Sequence, residues 1–159
     1  RERLGSDLTA EEVVDRLVAS LADSLRGTIP WRPGAQQLVA ALAEAGVPQA
    51  LVTMSYASIA APVASALPFE AVVTGDTVAH GKPHPEPYLK AAELLGVDPA
   101  ACLAVEDSST GAASADAAGC LVLVVPHMAP VPQSPRRVFR ESLRGLDLDG
   151  VRGLWSAAR

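Results

Sequence analysis

The run A-C-L-A-V-E-D-S-S-T-G-A-A-S-A-D-A-A-G-C-L-V-L-V-V, residues 101–125, decides the fold. Ala101 to Val105 is apolar without polar alternation, and so is Leu121 to Val125. Between them Ser109 to Ala118 reads as a helix closed by Gly119, a residue that tolerates the left-handed conformation at a helix end. Strand, helix and strand in such close succession form a crossover between parallel strands. Strands that are apolar on both faces belong in a parallel sheet covered by helices on both sides.

The same alternation extends upstream. Pro33 starts a helix with Leu38 and Leu42 on its apolar face and Gly46 as its left-handed stop. Val47 to Val52 reads as a strand and Ser55 to Leu67 as a helix that Pro62 bends or breaks. Ala71 to Val73 is a short strand, and Pro85 to Leu95 a helix closed by Gly96. The pattern predicts an α/β domain with a doubly wound parallel sheet.

The ends of the chain differ in style. Thr9 to Leu25 is expected as a helix, with Thr9 and Glu12 as a capping box. Val13, Val14, Leu17, Val18, Leu21 and Leu25 then form an apolar stripe whose partner is not found upstream in this chain. Beyond Met128, Pro130, Pro132 and Pro135 mark a loop, and Val138 to Leu143 and Val151 to Ala158 are expected as short helices.

Composition narrows the function. A chain of 159 residues with 49% hydrophobic content can bury one real core. The net charge of −5 does not favour nucleic acid as a partner, and Arg136-Arg137 is too short for a binding stripe. Aromatic residues make up 4% of the chain, too few for a base-stacking surface. The apolar stretches are too short to span a bilayer, and Arg1 is not followed by a basic-then-apolar leader. These features predict a soluble, cytoplasmic domain. Cys102 and Cys120 form no C-x-x-C pair and are expected as buried structural thiols.

Three polar motifs stand where apolar runs end: Thr53 in A-L-V-T-M-S, Lys82 in H-G-K-P-H-P-E-P-Y, and Glu106-Asp107 in V-E-D-S-S-T-G. Ligands of an open parallel sheet bind beyond the carboxyl ends of its strands. Adjacent carboxylates there repel one another unless a hard cation compensates, and magnesium takes a few carboxylates together with a phosphate oxygen. Lys82 can take up charge on the same phosphate, and the Thr53 hydroxyl can donate to another of its oxygens. Each residue also has a plain reading, as a cap, a solvated lysine or an acidic helix start. Their conjunction at successive strand ends is what points to phosphate.

W-R-P-G-A-Q-Q-L, A-L-V-T-M-S, G-K-P-H-P-E-P-Y-L, V-E-D-S-S-T-G and A-A-G-C together resemble the haloacid dehalogenase-like hydrolases, in the phosphoglycolate phosphatase and β-phosphoglucomutase-like branch. The resemblance runs from about Trp31 to Val125. It implies that Thr53 is the catalytic hydroxyl of the second motif, Lys82 the catalytic lysine of the third, and Glu106 and Asp107 the carboxylates that hold Mg2+. Ser55 would line the phosphate pocket, and Ser108 would stand behind the metal ligands. His84 and Glu86 would shape the loop and orient Lys82, although the family commonly has Asp where Glu86 stands. His80 and His127 are expected as incidental loop residues, and Trp31 and Trp155 as packing residues. The implied activity is magnesium-dependent phosphate hydrolysis on a small phosphorylated metabolite, with a sugar phosphomutase as the alternative.

Members of that family begin with an apolar strand ending in D-x-D-G-T, whose first Asp attacks phosphorus. No such strand precedes Thr53, so no nucleophile is found in this chain. Residues 1–28 are expected to be the last part of a helical cap, and residues 29–159 the core without its first strand. Asp147-Leu148-Asp149-Gly150 spells D-x-D-G but lacks both the Thr and a buried strand before it, so it is read as a turn before the last helix, with a circularly permuted nucleophile as the alternative. The missing strand would lie between the strands ending at Thr53 and Glu106. The chain should therefore leave a break there or fill it with another segment. Direct pairing of those two strands would contradict this. A chain without its nucleophile could equally be a non-catalytic fragment or a degenerate member. A nucleotide-binding Rossmann unit fits less well, since no G-x-G-x-x-G occurs. A phosphorylation receiver domain places its acid pair first, whereas here the pair comes last.

Overall fold

The structure, a computed structural model, describes residues 8–158. The opening residues 1–7 of the expected cap segment, and Arg159, lie outside the described residues. In chain order the helices and strands are α1 (Ala10–Gly27), α2 (Ala35–Glu44), β1 (Ala50–Val52), α3 (Ala57–Ala66), β2 (Ala71–Val73), α4 (Glu86–Leu95), β3 (Leu103–Glu106), α5 (Ser109–Ala117), β4 (Leu121–Val124), β5 (Arg137–Phe139) and α6 (Leu148–Ala157).

All strand pairs are parallel, in two groups: β1 with β2, and β3-β4-β5 with β4 in the middle. β1 and β3 are not paired with one another, as expected for a sheet broken between the strands that end near Thr53 and Glu106. Val105 at the open edge of β3 is 44% exposed, an unusual state for an apolar residue inside a strand. Helix α4 holds the two groups together, because it contacts β1, β2 and α5.

The central strand explains why the sequence shows no alternation. Val122 and Val124 face a cluster with Tyr88, Ala112, Ala115 and Cys120, while Leu123 and Val125 face Leu38, Leu143 and Leu146. Helices therefore cover β4 on both sides, α4 and α5 on one and α2 and α6 on the other. Burying Leu123 and Val122 completely is worth about 1.5–3 kcal/mol for each side chain.

The helix ends follow the sequence. Thr9 Oγ1 accepts from the Glu12 amide at 3.2 Å, and the Glu12 carboxylate accepts from the Thr9 amide at 2.7 Å. Gly46, Gly96 and Gly119 all take positive φ just past their helices. α3 runs through Pro62 without ending there. α1 packs against α3, where Ala22 and Ala60 are the buried residues of the two helices, yet Leu17 of its apolar stripe stays 64% exposed.

The tail departs from the sequence reading. Val138 to Leu143 is not a helix: Arg137–Phe139 forms β5, in register with Val122 to Val124 of β4. The edge of β4 offers unpaired backbone groups, and pairing them outweighs the weak helical spacing of so short a segment. Two arginines fasten this strand. Arg137 Nη2 lies 3.1 Å from Asp116 Oδ2, and Arg136 Nη1 donates to the Gly119 carbonyl at 2.7 Å. The chain then passes over the start of α2, where Gly34 has φ +87° and a Cβ would overlap the Leu143 backbone. Asp147 is the N-cap of α6 and accepts from the Gly150 amide at 2.9 Å, so D-x-D-G here is a helix start.

Candidate active site

A cleft of about 750 Å³ opens where the two strand groups part. Val52 and Thr53 line it from the end of β1, Val105 to Ser108 from the end of β3, and Lys82 from the loop before α4. The four residues expected to carry the chemistry, Thr53, Lys82, Glu106 and Asp107, thus converge on one space. Ser55 does not line the cleft; its amide donates to Thr53 Oγ1 at 3.1 Å. With that bond accepted, the Thr53 hydroxyl keeps its proton free to donate into the cleft.

Lys82 spans the break in the sheet. Its Nζ donates to the Val52 carbonyl at 3.1 Å on one side and to Glu106 Oε1 at 2.5 Å on the other. The ammonium therefore touches the Glu106 carboxylate directly. Both side chains are largely buried, 11% and 6% exposed, so each charge depends on the other. The Tyr88 hydroxyl donates to the same Glu106 oxygen and lies 3.3 Å from Lys82 Nζ, whose charge also sits 4.9 Å from the Tyr88 ring centre. Burial, then the Glu106 carboxylate, push the Tyr88 phenol far above its ordinary range, which keeps it a hydrogen donor. Tyr88 stands inside the quoted lysine motif but was not singled out from the sequence. Its spacing six residues after Lys82, in the first turn of α4, is the available signal.

Glu106 and Asp107 are adjacent but differ. Glu106 is buried, with Ser108 Oγ donating to its second oxygen at 3.3 Å. Ser108 is also the N-cap of α5, accepting from the Gly111 amide at 3.1 Å. Asp107 is exposed in the cleft, and its carboxylate makes no hydrogen bond or ion pair among the described residues. An open carboxylate beside a buried, oriented one is a hard oxygen donor set that fits Mg2+. Asp107 offers free lone pairs, and Glu106 keeps one oxygen held only by Ser108.

Lys82 lies in the loop before α4, which Glu86, the first residue of that helix, ties back on itself. Glu86 accepts from the Ala79 amide at 2.6 Å and from the His80 amide at 2.9 Å, and its carboxylate also lies 2.9 Å from His80 Nδ1 and 4.0 Å from His84 Nδ1. The Ala79 amide first, then His80, hold the Glu86 carboxyl below its ordinary range. Buried Ser114 fixes the far side of the loop by donating to the His84 carbonyl at 2.6 Å. Glu86 and His84 therefore shape this loop as expected, whereas His80, expected to be incidental, is bound into it. His127 is an exposed loop residue.

A second support was not legible in sequence. Asp76 accepts from Thr74 Oγ1 at 2.6 Å and from the Ala57 amide at 3.1 Å, tying the end of β2 to the start of α3 just beyond Thr53. Arg32, Glu141 and Ser142 complete the rim of the cleft. Trp31 and Trp155 are half-buried and do not line it.

Comparisons with known proteins agree with this geometry. A sequence profile described as haloacid dehalogenase-like hydrolase matches residues 3–119. Hexitol phosphatase B of Escherichia coli K12 is 35% identical over 136 residues, covering 82% of this chain and 60% of that protein. Phosphoglycolate phosphatase of the same strain is 37% identical over 123 residues, covering 72% of this chain and 48% of its own length. The chain therefore spans no more than about 60% of these relatives. The crystal structure of CbbY from Rhodobacter sphaeroides in complex with phosphate superposes with a TM-score of 0.78 at 27% identity, covering 96% of this chain and 72% of that one. The sheet order, the converging strand-end residues and these likenesses place the chain in the haloacid dehalogenase-like hydrolase family, in the branch of the phosphoglycolate phosphatases and β-phosphoglucomutases.

Proposed function

We propose that the protein carrying this chain is a magnesium-dependent phosphatase of a small phosphorylated metabolite, working through an aspartyl-phosphate. The observation that carries this reading is the convergence of Thr53, Lys82, Glu106 and Asp107 on one cleft beside the break between β1 and β3. A strand filling that break would deliver the attacking carboxylate between Thr53 and Glu106. In our reading residues 1–28 belong to the cap and residues 29–159 to the core, and the protein works in the cytoplasm. Among the described residues no helix is long and apolar enough to cross a membrane.

Asp107 and Glu106 would hold the Mg2+. When bound there, the ion supplies positive charge against the phosphoryl oxygens. The Thr53 hydroxyl donates to one phosphoryl oxygen, and Lys82 balances negative charge while bonded to Glu106 and the Val52 carbonyl. Tyr88 and Ser108 hold the Glu106 carboxylate in place and exclude water from its inner side. Phosphoryl transfer depends mainly on positioning and charge neutralisation, and these residues provide both.

Relatives suggest where to look for substrates: hexitol phosphates, phosphoglycolate and xylulose 1,5-bisphosphate appear in the names of similar proteins. The test is phosphate release from this panel by the polypeptide that includes the gap-filling strand, with and without Mg2+. We expect release that stops in a chelator and falls at least about a hundredfold in Lys82→Met and Asp107→Asn. Turnover that ignores both the chelator and Asp107→Asn would sink the proposal. The 159-residue chain alone is expected to be inactive.

A further inference from the structure

On the loop that carries Lys82, outside the lining of the cleft, lies a second cluster of metal-ligating side chains. His80, His84 and Glu86 bring one ligand atom each to within 4.8 Å of one another. Glu86 Oε2 lies 2.9 Å from His80 Nδ1 and 4.0 Å from His84 Nδ1, and the two imidazole rings stand 4.6 Å apart at a tilt of 33°. Around a zinc ion, with bonds of about 2.0–2.1 Å, ligand atoms sit roughly 3.3 Å from each other. Closing the cluster to that size brings His84 Nδ1 in from 4.0 Å and exchanges the bond it accepts from the Glu86 amide at 3.2 Å for a bond to the ion.

We propose that His80, His84 and Glu86 form a binding site for a borderline divalent transition cation, Zn2+ being the type case, distinct from the Mg2+ position in the cleft. Two imidazoles and one carboxylate select zinc-like ions over magnesium, which prefers oxygen ligands. The carboxylate is already aimed by the Ala79 and His80 amides, and the His84 backbone is anchored by buried Ser114. Such outer contacts orient metal ligands before the ion arrives. Both histidine side chains are more than half exposed, which leaves an approach path and room for a water or an external ligand on the ion. Because the ligands flank Lys82 in sequence, a bound ion would clamp the loop on both sides of that lysine.

The test is a titration of tag-free, chelator-stripped protein with Zn2+ against a chromophoric chelator, in excess Mg2+ to occupy the cleft carboxylates. We expect one equivalent of Zn2+ bound by the wild type. Binding should weaken at least about tenfold in the double variant His80→Ala/His84→Ala and in Glu86→Gln. Cys102→Ser should bind as the wild type does. Circular dichroism checks that the variants fold, and Co2+ substitution should give a visible absorption band only in proteins that retain both histidines. Equal zinc binding by the wild type and the double variant overturns the site, as does loss of binding in Cys102→Ser.

Discussion

Gly111 and Glu106 share one position in space: a Cβ on Gly111 would overlap both carboxylate oxygens of Glu106. The first turn of α5 has no side chain there so that the carboxylate can lie against it, beside the Ser108 cap. Helix propensity alone predicts that Gly111→Ala stabilises α5 by about 1 kcal/mol. The overlap should cost about 1–3 kcal/mol and push Glu106 off Lys82 and Tyr88. We expect Gly111→Ala to leave Tm unchanged or lower and to weaken Mg2+ affinity; a clear rise in Tm would show that the carboxylate moves freely.

The buried pair of Lys82 and Glu106 should reveal itself in a double-mutant cycle. Lys82→Met leaves a buried carboxylate unpaired and Glu106→Gln a buried ammonium, each costing about 3–5 kcal/mol. The double variant should be less destabilised than the sum by about 0.5–3 kcal/mol. Urea unfolding of all four proteins checks this, and simple additivity would show that the pair contributes nothing to the fold.

Asp76 gives a pH signature. Its carboxyl is held below the ordinary value of 3.8, first by the Thr74 hydroxyl and also by the Ala57 amide. A depressed carboxylate adds stability that is complete above its unfolded value and disappears as pH falls through the folded one. The stability difference between the wild type and Asp76→Asn should therefore hold at neutral pH and shrink as pH drops below 3.8. Urea midpoints measured from neutral pH to about pH 3 decide this, and a constant difference across the range would contradict it.

The cysteines should separate by reactivity. Burial pushes the Cys120 thiol up to about 11, and burial raises half-buried Cys102 as well. Thiolate is the reactive form, so at pH near 8 a thiol-exchange reagent should label Cys102 slowly and Cys120 only on unfolding. Rapid labelling of both in the native protein would mean that the α5 face of the sheet opens readily.

Much of this protein is written in short stretches of chain. The Thr9–Glu12 cap, the positive-φ glycines at 46, 96 and 119, and the two-faced apolar strand before Pro126 depend on partners within a few residues or on burial on both sides. Local hydrogen bonds and hydrophobic periodicity are enough to specify such features. The strand-end positions of Thr53, Glu106 and Asp107, and the Pro-flanked loop that carries Lys82, were legible for the same reason. Other features depend on partners far along the chain. Arg137–Phe139 is too short to show a period, and it becomes a strand because β4 offers an edge and Asp116 a counter-ion. Tyr88 becomes a carboxylate holder, and His80 a partner of Glu86, only because the loop before α4 folds back on itself and onto β3. Backbone pairing and the burial of charge reward contacts between residues distant in sequence, so only the tertiary structure could decide them.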